Sequence, residues 1–209
     1  MRPHRTQAER SEEMRARLSE AAYDIIAERG HSAFRTAMVA ARAGVSQGAL
    51  LHHFPTKDAL TLAAVDRALS KAQVATNQRL TGKTGTVKAA IASMMEDFRE
   101  FFGSDPFWVA LDITMDASKN IRIASAIRRI VADHRRPVYA KWAAKLVALG
   151  WTQSRAEETV RMTAALVTGL AIRTLWTDDV GLESLTGQWM AYVLKEPAKV
   201  RRTPNLMSR

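Results

Sequence analysis

The stretch "AGVSQGALLHHFPTKDAL", residues 43–60, decides how the chain is read. Gly44 stops one helical pattern, Ser46 is placed to cap another, and Pro55 ends that one within two turns. A helix this short gains little from its own propensity, so its neighbours must hold it. Leu50 points back as the anchor, which leaves Gln47, Gly48, Ala49, His52 and His53 on the outward face. Helix, tight turn and short second helix together make a helix-turn-helix. The brevity then has a reason, because only the first turns of such a second helix reach base edges in a DNA major groove. Small residues at 48 and 49 let the backbone come close, and the Gln47 amide can both donate to and accept from a base edge. Lys57 and the free N–H groups opening the next helix suit a phosphate. The competing reading of Gln47, His52, His53 and Lys57 is an ordinary solvated face.

Working outward, helical periodicity dominates and no alternating strand pattern or hairpin signal occurs. "TQAE" at residues 6–9 has the form of a capping box, and Met14, Leu18, Ala22 and Ile25 follow at helical spacing up to Gly30. A short second helix turns Val39, Ala40 and Ala43 inward. Thr56 caps a fourth, with the stripe Leu62, Val65, Leu69 and Ala72. "TGKTGT" at 81–86 is the clearest break in the chain. Beyond it come Val87, Ile91, Met94, Phe98 and Phe101 on one face, then Asp105-Pro106 as cap and first turn of a helix carrying Phe107, Trp108, Leu111 and Met115. Ile123 to Leu149 reads as a long helix bent at Pro137. From Ser154 to Trp176 both faces are apolar, with Val160, Ala164 and Val167 on one and Met162, Leu166 and Ile172 on the other; such a helix must be covered twice. Leu182, Leu185, Trp189 and Tyr192 mark a last helix. The expected fold is all-α: a helix-turn-helix domain at 1–60, a connecting helix at 61–80, a larger helical bundle at 81–195, and a mobile basic tail at 196–209.

Composition narrows the classes. An apolar share of 47% in 209 residues is ample for a packed core. The absence of cysteine excludes a disulfide framework, thiolate metal sites and cysteine nucleophiles. The start, "MRPHRTQAERSEEMRARL", has no apolar segment of signal-peptide type, and no run approaches the roughly 20 residues that cross a bilayer. A soluble, cytoplasmic protein without membrane partner is expected. The net charge of +10 invites a nucleic-acid reading, yet residues 1–60 carry only +2, while 119–145 carry +7 and 195–209 carry +4. Charge alone therefore does not locate a DNA surface. The stretch with Arg122, Arg128, Arg129, Arg135 and Arg136 reads first as a solvated face, and alternatively as an attractor of an anionic effector or of DNA.

"VAARAGVSQGALLHHFPTKDAL" resembles the DNA-binding signature of the tetracycline-repressor (TetR) family, I-A-x-x-A-G-V-S-x-G-x-L-Y-x-x-F-x-x-K-x-x-L. Val39, Ala40, Ala43, Gly44, Val45, Ser46, Gly48, Leu50, Phe54, Lys57 and Leu60 match, and the specific likeness covers about residues 15–62. The resemblance implies a homodimeric transcriptional repressor on a palindromic double-stranded operator, released by a small effector, with no cofactor and no metal. By position it implies Gln47, Gly48 and Ala49 against bases, His52, His53 and Lys57 on bases or backbone, and Ser46 and Thr36 as caps or phosphate contacts. Leu51 stands where the family commonly has a phosphate-contacting tyrosine. The resemblance also makes an effector pocket of the Met and aromatic layer, with Met94, Phe98, Phe102, Trp108, Asp112, His134, Trp142, Met162 and Trp176 as candidates.

Other readings of the same residues compete. Asp112 and Asp116, one turn apart, with His134 could form an acid/base set. They could equally be a hydrogen-bonded histidine and two solvated carboxylates, or polar groups of a cavity. Glu28 and His31 have Glu-x-x-His spacing, but Gly30 ends the helix between them and no second copy exists. His52 and His53 diverge as sequence neighbours and cannot easily share one ion. A partner-binding module with a vestigial helix-turn-helix is the remaining alternative.

Overall fold

The structure is a computed structural model that describes residues 6–82, 84–117, 120–178 and 181–195. The expected mobile tail at 196–209 falls outside the described residues. Among the described residues nine helices follow in order: α1 (Gln7–Arg29), α2 (Thr36–Arg42), α3 (Gln47–His53), α4 (Lys57–Thr81), α5 (Val87–Phe102), α6 (Asp105–Ala117), α7 (Ile121–Ala148), α8 (Gln153–Arg173) and α9 (Leu182–Leu194), with a 3-10 turn at His31–Ala33. No strand occurs among the described residues.

Hydroxyl and amide side chains start most of these helices. Thr6 and Glu9 form a complete capping box, and Ser46, Thr56, Thr86, Asn120 and Thr152 each accept a first-turn N–H. Each such cap contributes about 1 kcal/mol. α6 departs from expectation: Asp105 is its first helical residue, and Ser104 Oγ accepts from Phe107 N at 3.4 Å. Proline at the second helical position costs nothing, because that N–H has no helical partner. α8 stops at Arg173, so Trp176 lies in the following turn instead of on the helix.

α1, α2 and α3 pack around Leu18, Ile25, Phe34, Val39 and Leu50, all essentially sealed from solvent. α4 leaves this unit and packs against α1, α6 and α7, so one long helix belongs to both halves. In the larger half, α5 buries Ile91, Met94, Phe98 and Phe102, and α7 adds Ile127, Val138 and Trp142. Asp97 is buried among them. It accepts from Thr76 Oγ1 at 2.6 Å and from Trp142 Nε1 at 2.9 Å, which satisfies the carboxylate. α8 buries Val160, Ala164 and Val167, but Met162 on its other side is 54% exposed. Leu175, Trp176 and Tyr192 stand out on the same part of the chain.

Candidate nucleic-acid interface

Gly44 takes φ +64, a left-handed turn that a side chain would strain, and it joins α2 to α3. The turn closes with Gly44 N donating to Ala41 O and Val45 N to Ala40 O. Ser46 Oγ then accepts from Ala49 N at 3.1 Å. Leu50 and Phe54 are buried beneath α3. From α1, Arg15 Nη1 donates to His53 O at 2.7 Å, and its guanidinium lies 4.6 Å from the Phe54 ring centre. A bidentate pair of Arg42 with Glu28 ties α2 to α1. That hydrogen bond lowers the Glu28 carboxyl pKa and raises the Arg42 pKa. A helix of seven residues is thus held at its base and at both ends.

What remains outward is Gln47, Gly48, Leu51 and His52, with Ala49 and His53 half-buried. A methyl group built on Gly48 meets only Ser46 Oγ, at 3.9 Å, so the protein's own packing does not require glycine there. Gln47 Nε2 donates to Thr36 Oγ1 at 3.2 Å, bringing two of the expected contact residues together. Thr36 is not a cap: it is the first residue of α2, and Arg35, with no side-chain capping bond, precedes it. Lys57 opens α4, exposed, with Nζ 5.5 Å from the Phe34 ring centre. Arg15 and the Arg42–Glu28 pair were not among the sequence candidates, since nothing local marks a brace between helices.

Asp112 and Asp116 serve a different place from the expected pocket. The backbone N–H of buried His31 donates to Asp112 Oδ2 at 2.6 Å, its Nδ1 lies 2.6 Å from Asp116 Oδ2, and its Nε2 lies 3.3 Å from Thr61 Oγ1. α6 is thereby fastened to the reading head. His134 instead contacts Asp66 Oδ1 at 2.9 Å and Gln73 Oε1 at 3.3 Å, both on α4. Asp112 and Asp116 thus share His31 while His134 is engaged on α4, so the three residues of the acid/base reading do not come together as one set.

The other pocket candidates divide among several sites. Met94, Phe98, Phe102 and Trp142 are core. Trp108 lines a cleft of about 470 Å³ with Arg79, Arg99, Leu170 and Thr174. Met162 lines a groove of about 720 Å³ with Trp151, Trp189 and Tyr192. Trp176 is 77% exposed and lines neither of these. Of the basic stretch, Arg122, Arg128, Arg129 and Arg136 are solvated, but Arg135 is buried, which corrects the solvated-face reading at that position. No cluster of three metal-ligating side chains occurs among the described residues, and no helix there is long and apolar enough to cross a membrane.

Comparison with known proteins agrees with this geometry. Residues 18–64 match the model of the bacterial regulatory proteins, tetR family. The HTH-type transcriptional regulator CymR of Pseudomonas putida is 37% identical over 175 residues, covering 84% of this chain and 86% of that protein. Among solved structures, a transcriptional regulator of Streptomyces coelicolor superposes with a TM-score of 0.68 at 19% identity, over 88% of this chain and 99% of that one. The multidrug binding protein EbrR complexed with proflavin does so with a TM-score of 0.61 at 22% identity, over 87% and 99%. At these identities the two structures share the fold.

Proposed function

The chain belongs to the TetR family of bacterial regulatory proteins, a helix-turn-helix transcriptional regulator and not an enzyme, and from there we propose that it is a cytoplasmic, effector-released repressor. Two copies bind a palindromic operator, each inserting α3 into the major groove of one half-site. Gln47, Gly48 and Ala49 meet base edges. His52, His53 and Lys57 hold bases or backbone, and Thr36 takes a phosphate when Gln47 turns to the DNA. Ser46 keeps its capping bond. In this reading residues 1–60 are the head, 61–80 the connecting helix, and 81–195 the effector and dimer body.

The observation that carries this reading is a braced α3 whose outward face is left open by the other described residues, with a glycine its own packing does not need. The uncovered face of α8 around Met162, with α9, suits pairing with the same helices of a second copy. A small apolar or aromatic effector, bound in the body, lowers operator affinity by favouring a different spacing of the two heads.

The test is anisotropy titration of a palindrome found beside the gene, against a scrambled duplex at the same salt. Gln47→Ala should erase the preference between duplexes. Lys57→Ala should weaken both alike and flatten the salt dependence by about two charges, one for each copy. A partner-binding module with a vestigial motif would show no preference to lose.

A further inference from the structure

Arg135 is a cation in a place that does not explain it. It sits on α7 at 7% exposure, facing the aromatic row of α5. The guanidinium carbon lies 3.8 Å from the Phe101 ring centre, 5.1 Å from Tyr139, 5.6 Å from Phe98 and 5.7 Å from Phe102. Its Nε and Nη2 are buried without a hydrogen-bond partner. Three acids on α4 and α5, the helices that pack against α7, are engaged elsewhere: Asp66 with His134, Asp97 with Thr76 and Trp142, and Glu100 with Arg79. Four rings can hold a guanidinium in position. They do not replace the hydrogen bonds its N–H groups lost on leaving water.

We propose that Arg135 is the anion-binding group of the effector site and that the effector is an aromatic carboxylate. This deepens the preceding reading and rests on its assumption that a small molecule binds the body. Nε and Nη2 are the adjacent nitrogens on one edge of the guanidinium, the edge that meets both oxygens of a carboxylate in parallel. A single fork matches a monoanion, and the surrounding rings supply stacking surface for an aromatic group. The space beside Arg135 is only about 10 Å³, room for no more than a water. Phe101 also lines a cleft of about 180 Å³ with Lys71, Thr76, Ser104, Pro106 and two carboxylates already held, Asp97 by Thr76 and Trp142 and Glu100 by Arg79. Turning the Phe101 ring joins the two spaces, so the ligand selects an opened form of the body.

Calorimetry on the full-length protein with benzoate, 4-methylbenzoate and naphthalene-2-carboxylate tests this, with benzamide and benzylamine as matched neutral and cationic probes. At least one acid should bind, roughly tenfold or more tighter than the amide and amine. Arg135→Met should cut that affinity at least about tenfold, and Arg135→Lys, which keeps the charge but not the fork, should also weaken it. The site is refuted if no acid binds at millimolar concentration, if benzamide equals benzoate, or if Arg135→Met binds the acid unchanged. Should Arg135→Met not fold, the acid and amide comparison on the unaltered protein still decides. Acid binding without operator release supports the site and overturns release as the regulatory step. Release by neutral probes alone does the reverse.

Discussion

Gly48→Ala separates what the fold needs from what DNA needs. The added methyl would touch only Ser46 Oγ, at the ordinary contact distance of 3.9 Å. Alanine is favoured over glycine inside a helix by about 0.5–1 kcal/mol, and position 48 is the second residue of α3, so the lower end applies. The variant should therefore melt about 1–2 °C higher than the parent in a chain of this size. Against an operator the same methyl intrudes where the helix backbone closes on the base edges. If the helix retreats enough to lose one good contact, each half-site loses about 1.4 kcal/mol, a tenfold weakening. Two linked heads then lose roughly a hundredfold. Differential scanning fluorimetry and operator anisotropy at fixed salt read the two effects independently. A variant with raised melting temperature and operator affinity within twofold of the parent would show that this face of α3 does not meet DNA. A lowered melting temperature would show that the space around residue 48 has been misread.

Three further perturbations address other parts of the molecule. Asp112→Ala leaves the buried N–H of His31 without its partner and should cost about 1–3 kcal/mol in urea unfolding; an unchanged midpoint and slope would remove the joint's structural role. Met162→Glu puts a charge on the uncovered face of α8 and should leave monomers at micromolar concentration by sedimentation velocity; an unaltered dimer would place the interface elsewhere. At Glu20, burial raises the carboxyl pKa, but hydrogen bonds and charge from Lys71 and Arg67 outweigh it and hold it below its ordinary value of 4.5. A depressed folded pKa gives stability that is present above that value and fades as pH falls through the folded one. The advantage of the parent over Glu20→Gln should therefore be full at pH 7 and shrink below about pH 4.5, as followed by circular dichroism melts.

What the sequence makes legible is what neighbouring residues decide. Thr6, Ser46 and Thr56 cap the helices expected of them, since a capping hydroxyl and its N–H are three residues apart. The stop at Gly44 and the inward Val39, Ala40 and Leu50 follow from turn chemistry and period. The partners of polar side chains do not. His31 and Asp116 are 85 residues apart, and His134 and Gln73 are 61 apart, so no local pattern pairs them. Arg135 and Arg136 look alike in a charge count, yet on a helix they point about 100° apart; one enters the aromatic core and the other stays in water. Apolar residues continue past Arg173 and predict a helix running on to Trp176, but α8 ends at Arg173 in a turn.

That divergence at 134 and 135 bears on how an effector would reach the heads. Arg135 enters the aromatic cage while His134, its neighbour, holds Asp66 and Gln73 on α4. α4 in turn carries Thr61, which contacts His31 at the head's joint with α6. An effector that fills the space beside Arg135 would bear on the same turn of α7 that carries the grip on α4, since His134 and Gln73 line that space too. Two hydrogen bonds of about 1 kcal/mol each are of the same size as the 1–3 kcal/mol typical of coupling between sites. Losing one or both changes operator affinity by roughly fivefold to thirtyfold. Linkage then demands the converse: the aromatic acid must bind the operator complex more weakly than the free dimer by the same factor. His134→Ala should bring the two calorimetric affinities together while leaving acid binding to the free protein in place. Equal affinities in the unaltered protein, with and without operator, would mean that the site at Arg135 and the reading heads are uncoupled.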